Sequence, residues 1–207
     1  MMKKPKTERE YRSVLELRTK DSDEYIVEGY ATTFNQPYTL IDTLDFKFRE
    51  QISPDAFREF DMSDVIMQYD HEGKVFARTR NETLELSVDS KGLFVRANLG
   101  GTEQGRQLYS EIKGGYVDRM SFGFTVPEDG ENRTYTTDNE GIRTCLRTIT
   151  KIGKLYDVSA VSIPANDTTS ISARKYCDGV IAELEAERLQ RAEAKAKLEL
   201  KLKLMED

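Results

Sequence analysis

One histidine and two cysteines in 207 residues, with a net charge of -6, leave several classes of function without the side chains they need. A structural zinc site requires four soft ligands, and here His71, Cys145 and Cys177 stand apart with no Cys-x-x-Cys spacing. No metal or other cofactor is expected. Cys145 and Cys177 read as buried thiols in a reducing compartment. The acidic balance, with a pI near 5.1, argues against nucleic-acid binding, because neutralising phosphates needs clustered Lys and Arg. No apolar run approaches the roughly 18 residues a membrane span requires. The start Met1-Met2-Lys3-Lys4-Pro5-Lys6 is basic like a signal peptide, but Thr7-Glu8-Arg9-Glu10 follows where an apolar stretch belongs, so a soluble, non-exported protein is expected.

What is present reads as a mainly β, α+β chain. Residues 1–23 form an N-terminal extension, 24–165 an antiparallel β domain, 166–177 a linker and 178–207 a charged helical tail. Tyr25-Ile26-Val27-Glu28-Gly29-Tyr30-Ala31 and Phe46-Lys47-Phe48-Arg49 carry strand formers. Leu84–Val88 and Leu93–Ala97 flank Asp89-Ser90-Lys91-Gly92 as a hairpin, and Asp138-Asn139-Glu140-Gly141 predicts a second. Ser53-Pro54-Asp55 caps a helix predicted to run to Phe60. Thr102 to Lys113 predicts another, stopped by Gly114-Gly115. From Ile181 to Lys195 the residues are strong helix formers with sparse apolar positions, which fits either docking to a partner or packing on the chain's own domain.

Two segments bear chemistry. In Asp118-Arg119-Met120-Ser121-Phe122-Gly123-Phe124-Thr125, strand alternation puts Met120, Phe122 and Phe124 on one face and Ser121 and Gly123 on the other. A serine hydroxyl is a weak nucleophile until a base takes its proton, and the one imidazole available is His71, in Gln68-Tyr69-Asp70-His71-Glu72-Gly73. A third group usually orients the imidazole. Asp157 begins an otherwise nearly apolar strand, whereas Asp70 and Glu72, as strand neighbours of His71, are expected to point away from its ring. The glycines of Leu99-Gly100-Gly101-Thr102 lack the Lys-Ser/Thr of a phosphate loop and predict a turn.

Asp70-His71-Glu72, then Met120-Ser121-Phe122-Gly123-Phe124, then Leu155-Tyr156-Asp157-Val158-Ser159-Ala160-Val161-Ser162-Ile163-Pro164-Ala165-Asn166 resemble, in order and spacing, the prohead maturation proteases of tailed phages. The resemblance covers about residues 24–175. It implies a β-barrel ringed by short helices, like the herpesvirus assembly protease, and a serine endopeptidase that trims the scaffold segment of the major capsid protein precursor inside the immature shell and then cuts itself. It also implies Ser121 as nucleophile, His71 as base, Asp157 as the third member in place of a more usual glutamate, and a possible homodimer. Lys74-Val75-Phe76-Ala77-Arg78 departs from the family's turn after the histidine. Gly123 and Arg143 are candidates near the oxyanion. A non-catalytic assembly scaffold would not need His71, Ser121 and Asp157 together. A different serine hydrolase, such as an esterase, is disfavoured because no Gly-x-Ser-x-Gly elbow and no β-α alternation occur.

Overall fold

The computed structural model describes residues 9–19, 24–162 and 171–206. Among them, an eight-stranded sheet runs in the order β6 (Glu72–Arg78), β5 (Ile66–Tyr69), β12 (Lys154–Val161), β9 (Arg119–Thr125), β1 (Glu10–Thr19), β2 (Ile26–Thr33), β8 (Gly92–Asn98) and β7 (Leu84–Val88). A four-stranded sheet has the order β10 (Glu131–Thr137), β11 (Arg143–Ile149), β4 (Phe46–Ile52) and β3 (Tyr38–Asp42). Neighbours are antiparallel except for β12 with β5 and β11 with β4, which are parallel.

The expected closed barrel is not found among the described residues. β6 and β7 are the two edges of the larger sheet, and closure would need hydrogen bonds between them. Alternation in sequence identifies strands but carries no information on whether the first meets the last.

The N-terminal extension also needs correction, because Glu10–Thr19 is a strand in the interior of the larger sheet, paired with β9 on one side and β2 on the other. Glu10 and Arg12 of this strand are both buried. Their charges meet Glu50 of β4 and Arg147 of β11 in the space between the sheets.

Both predicted hairpins form, each around an aspartate that gathers turn amides. Asp89 accepts from the Lys91 and Gly92 N–H groups at 2.7 and 3.0 Å, and Asp138 from those of Glu140 and Ile142 at 3.0 and 2.9 Å. Ser53 caps its helix as expected, but the helix is a single 3-10 turn, Pro54–Phe57. Ala56 and Phe57 are already buried there, and the chain then bridges through Asp61 to Lys154 instead of continuing. α1 (Glu103–Lys113) starts at Thr102, whose hydroxyl accepts from the Gly105 N–H at 3.0 Å, and buries Leu108, Tyr109 and Ile112.

One large apolar cluster fills the core, with Met67, Val95, Leu99, Phe122 and Phe124 among its fully buried members. Each such side chain contributes about 1.5–3 kcal/mol by burial. A smaller cluster on the second sheet joins Leu40, Phe46, Phe48 and Cys145 to Val180. Val180 belongs to α2 (Ile171–Glu206), so helix runs through residues 171–177 where a linker is expected; 166–170 lie outside the described residues. Burial pushes the Cys145 thiol up, as suits an inert core group. The side chain of Cys177 lies outside the described ones.

Candidate active site

The turn between β5 and β6 holds two residues, Asp70 and His71, closed by the pair Tyr69 and Glu72. Their φ angles are 48° and 61°, the left-handed conformation of the tight hairpin turns that match sheet twist. A histidine there is uncommon, and such backbone persists where its surroundings hold it. The holding group is Asp70, whose two carboxylate oxygens accept from the Ser162 N–H and hydroxyl, both at 2.9 Å. Its N–H donates to the Ala160 carbonyl at 2.9 Å. The hairpin tip is thereby tied to the end of β12. Because His71 sits in a turn and not in a strand, the alternation argument about its acidic neighbours does not apply. Asp70 still misses the ring, for the reason that it is occupied with Ser162.

From the turn, the His71 ring reaches over β12 to β9. Its Nδ1 lies 2.5 Å from Asp157 Oδ1 and its Nε2 2.7 Å from Ser121 Oγ. A carboxylate only accepts, so Nδ1 carries the proton and Nε2 is left to accept from the serine hydroxyl. Asp157 Oδ1 also accepts from the Ser159 hydroxyl at 2.8 Å. Ser159 lies directly across from Ser121 in the ladder. The structure thus brings His71, Ser121 and Asp157 into one hydrogen-bonded chain.

Two local features let the short aspartate reach. Leu155 pairs with Phe124 and Asp157 with Gly123, so Tyr156 is an extra residue that bulges β12 and re-aims Asp157. Gly123 supplies the room: a Cβ there would stand 3.2 Å from Asp157 Cγ and closer still to Oδ2. The space left by the missing Cβ is taken by the carboxylate. Arg143 is not at this site; it opens β11 in the second sheet, with its N–H donating to the Asp45 carbonyl at 3.0 Å.

The site is closed. Ser121 and Ser159 have no exposed surface and Asp157 is 2% exposed, while the His71 side chain retains 16%. A tilted ring, Tyr11 of β1, lies 4.3 Å from the imidazole, centroid to centroid. Beside the hairpin, a cleft of about 390 Å³ opens between Tyr69, Glu72 and Phe76 on one side and Gln104, Leu108 and Glu111 of α1 on the other. Among the described residues no group of His, Cys, Asp and Glu is arranged to hold a metal ion. Sequence reading missed Ser159 and Tyr11, and the anchoring role of Asp70. Ser159 sits two residues after Asp157, on the same strand face, and that spacing was the available signal.

This is the arrangement in which a base takes a proton from a hydroxyl while a carboxylate steadies the imidazolium that results. A sequence model of the family described as caudovirus prohead serine protease matches residues 13–180. The chain belongs to that family. It is similar to the prohead protease of Enterobacteria phage HK97, with 31% identity over 166 residues, covering 78% of this chain and 65% of that protein. The chain thus spans just under two thirds of that relative's length. No solved structure matches it. The match to the family begins inside β1, in agreement with that strand's place in the sheet and not with an appended N-terminal arm. No described helix is long and apolar enough to cross a membrane.

Proposed function

We propose that the chain is the maturation protease of a tailed phage, a serine endopeptidase that removes the scaffold segment of the major capsid protein precursor inside the prohead and then cleaves itself. The observation that carries the reading is the hydrogen-bonded chain from Asp157 through His71 to Ser121 in a member of a serine protease family. Ser121 Oγ attacks the scissile carbonyl carbon as its proton passes to His71 Nε2. Asp157, seated over Gly123 and held by Ser159, keeps the Nδ1 proton in place and offsets the imidazolium charge. The imidazolium then gives its proton to the departing amine, leaving an acyl-enzyme on Ser121. Water, deprotonated by the same Nε2, hydrolyses the ester and restores the serine. Because Ser121 is fully buried, a peptide reaches it only after covering groups shift.

The kinship to the herpesvirus assembly protease fold, a homodimeric state and a location inside the shell in the host cytoplasm belong to the same proposal; nucleic acid and membrane have no part in it. The protease domain includes β1. Beyond Val180 and Ile181 the described side chains of α2 are exposed, Leu189 at 63% among them, which suits docking to the capsid or scaffold. Truncation after Ala186 then removes packaging into shells while preserving the folded domain.

The test is co-expression with the major capsid precursor of the same genome, wild type against Ser121→Ala, followed by intact mass. Trimming of both proteins by wild type and of neither by Ser121→Ala is the expected result. Equal trimming by the two variants overturns the assignment of Ser121. Shells that hold the wild-type protein yet stay untrimmed favour a scaffold in place of a protease.

A further inference from the structure

We infer that Tyr11 is a positioning residue for the His71 base, held in place by a buried ion cluster on the opposite face of its strand; the inference rests on reading His71, Ser121 and Asp157 as the reacting groups. Alternation along β1 sends Glu10 and Arg12 to one face and Tyr11 to the other. On the first face Arg12 donates from Nε to Glu50 Oε1 at 2.5 Å, and from Nη2 to Glu50 Oε2 at 2.9 Å and Glu10 Oε2 at 2.7 Å. Arg147 Nη1 donates to Glu10 Oε2 and Glu50 Oε2, both at 2.6 Å. Arg12, Arg147 and Glu50 are each no more than 1% exposed. Arg147 also donates to Glu131, which Arg133 pairs in turn, so three guanidinium groups and three carboxylates neutralise one another there, and a slip of β1 would break the bonds from Arg12 to Glu50 and from Arg147 to Glu10. Arg12 also donates from Nη1 to the Tyr11 carbonyl at 2.8 Å, which fixes the backbone of the residue itself.

On the other face Tyr11 pairs with Gly123, and its ring is tilted 57° against the imidazole. Its Cε1 would stand 2.9 Å from a Cβ at Gly123, so it lies over the same gap that seats the Asp157 carboxylate. The ring packs into neither apolar core cluster among the described residues. It touches the base and the seat of the base's partner. His71 hangs from a two-residue turn with left-handed backbone, and Asp157 and Ser121 hold its two nitrogens but leave the ring free to rock about the line between them. Tyr11 closes that freedom and keeps water from the bond between Nδ1 and Asp157, which a drier setting strengthens. The charged cluster thereby carries the position of the second sheet to the imidazole through a single strand.

The test measures the rate at which a fluorophosphonate probe labels Ser121 in the full-length chain, by intact mass, beside thermal unfolding of each variant. Tyr11→Ala is expected to slow labelling about 10- to 100-fold, the scale of an ångström-size misplacement of a reacting group, while unfolding cooperatively. Tyr11→Phe, which keeps the ring, is expected to label within about threefold of wild type, since ring packing and not the hydroxyl is invoked. Tyr11→Thr, a strand former without the ring, serves if the alanine variant does not fold, with the same slowing expected. Labelling at the wild-type rate in a folded Tyr11→Ala or Tyr11→Thr variant overturns the inference, as does equal slowing by Tyr11→Phe. Ser121→Ala separates the two levels of reading. If it is still labelled at the wild-type rate, the site assignment fails and this inference with it; if it is silent while Tyr11→Ala reacts normally, this inference alone fails.

Discussion

Replacing Gly123 with alanine adds one methyl group where the Asp157 carboxylate sits, and the structure gives the size of the conflict. The new Cβ would lie 3.2 Å from Asp157 Cγ, 2.9 Å from Tyr11 Cε1 and nearer still to Asp157 Oδ2. Carbon atoms rest about 3.5–4.0 Å apart, so the tyrosine and the carboxylate must together yield on the order of 0.5–1 Å. Asp157 is 2% exposed and bonded to both His71 and Ser159, so it has no slack in which to move without lengthening the 2.5 Å contact to Nδ1. Overpacking of this size costs about 1–3 kcal/mol of stability, or roughly 2–12 °C in Tm for a chain of this length. The effect on chemistry is larger, because misplacing a reacting group by an ångström lowers the rate about 100-fold. Fluorophosphonate labelling of Ser121 and thermal unfolding, measured on the same preparation, separate the two. A second arm combines Gly123→Ala with Asp157→Ala, which removes the obstructing carboxylate. The pair should unfold at a higher temperature than additivity of the single variants predicts. Labelling by Gly123→Ala within about threefold of wild type, with Tm unchanged, refutes the reasoning.

Ser159→Ala removes a hydroxyl bonded to a carboxylate, worth about 1.5–3 kcal/mol, and should slow labelling roughly 10- to 150-fold while unfolding stays cooperative at a Tm lower by several degrees; a rate equal to wild type removes Ser159 from the site. Asp70→Gly preserves the left-handed backbone but deletes both links to Ser162, so activity should fall while Tm changes by no more than a few degrees. A large loss of Tm with unchanged labelling would show the anchor to be structural only. Burial opposes ionisation of Glu50, but Arg12 and Arg147 outweigh it and hold the carboxyl below its ordinary range. A depressed folded value means that this stability is present above the ordinary carboxylate pKa of about 4.3 and is lost as pH falls through the lower, folded one. A profile of Tm against pH should therefore drop on the acid side in wild type and be flatter there in Glu50→Gln, whatever its height; parallel acid limbs would contradict the assignment.

The strands and turns were legible because they rest on local rules. Asp89-Ser90-Lys91-Gly92 and Asp138-Asn139-Glu140-Gly141 make their turns with their own side chains, and Thr102 caps α1 within one turn of chain. β1 was not legible, since the partners that neutralise Glu10 and Arg12 come from β4 and β11, far along the sequence. The 3-10 turn at Pro54–Phe57 was overextended for a similar reason: burial of Phe57 and the bridge at Asp61, not propensity, end it.

By itself the sequence determined the supply of chemistry. One imidazole, a serine on a strand face beside a glycine, and an acid in an apolar strand are groups that can move a proton from a hydroxyl, and the order of their three segments carries the resemblance to prohead proteases. The tertiary structure decided which atoms meet. The bulge at Tyr156, the missing Cβ of Gly123 and the turn tied to Ser162 bring three side chains, from one hairpin turn and two neighbouring strands, to within hydrogen-bond distance. No pairwise spacing along the chain encodes those distances, because each depends on where a partner strand lies, and that is fixed by the packing of both sheets and the charges buried between them.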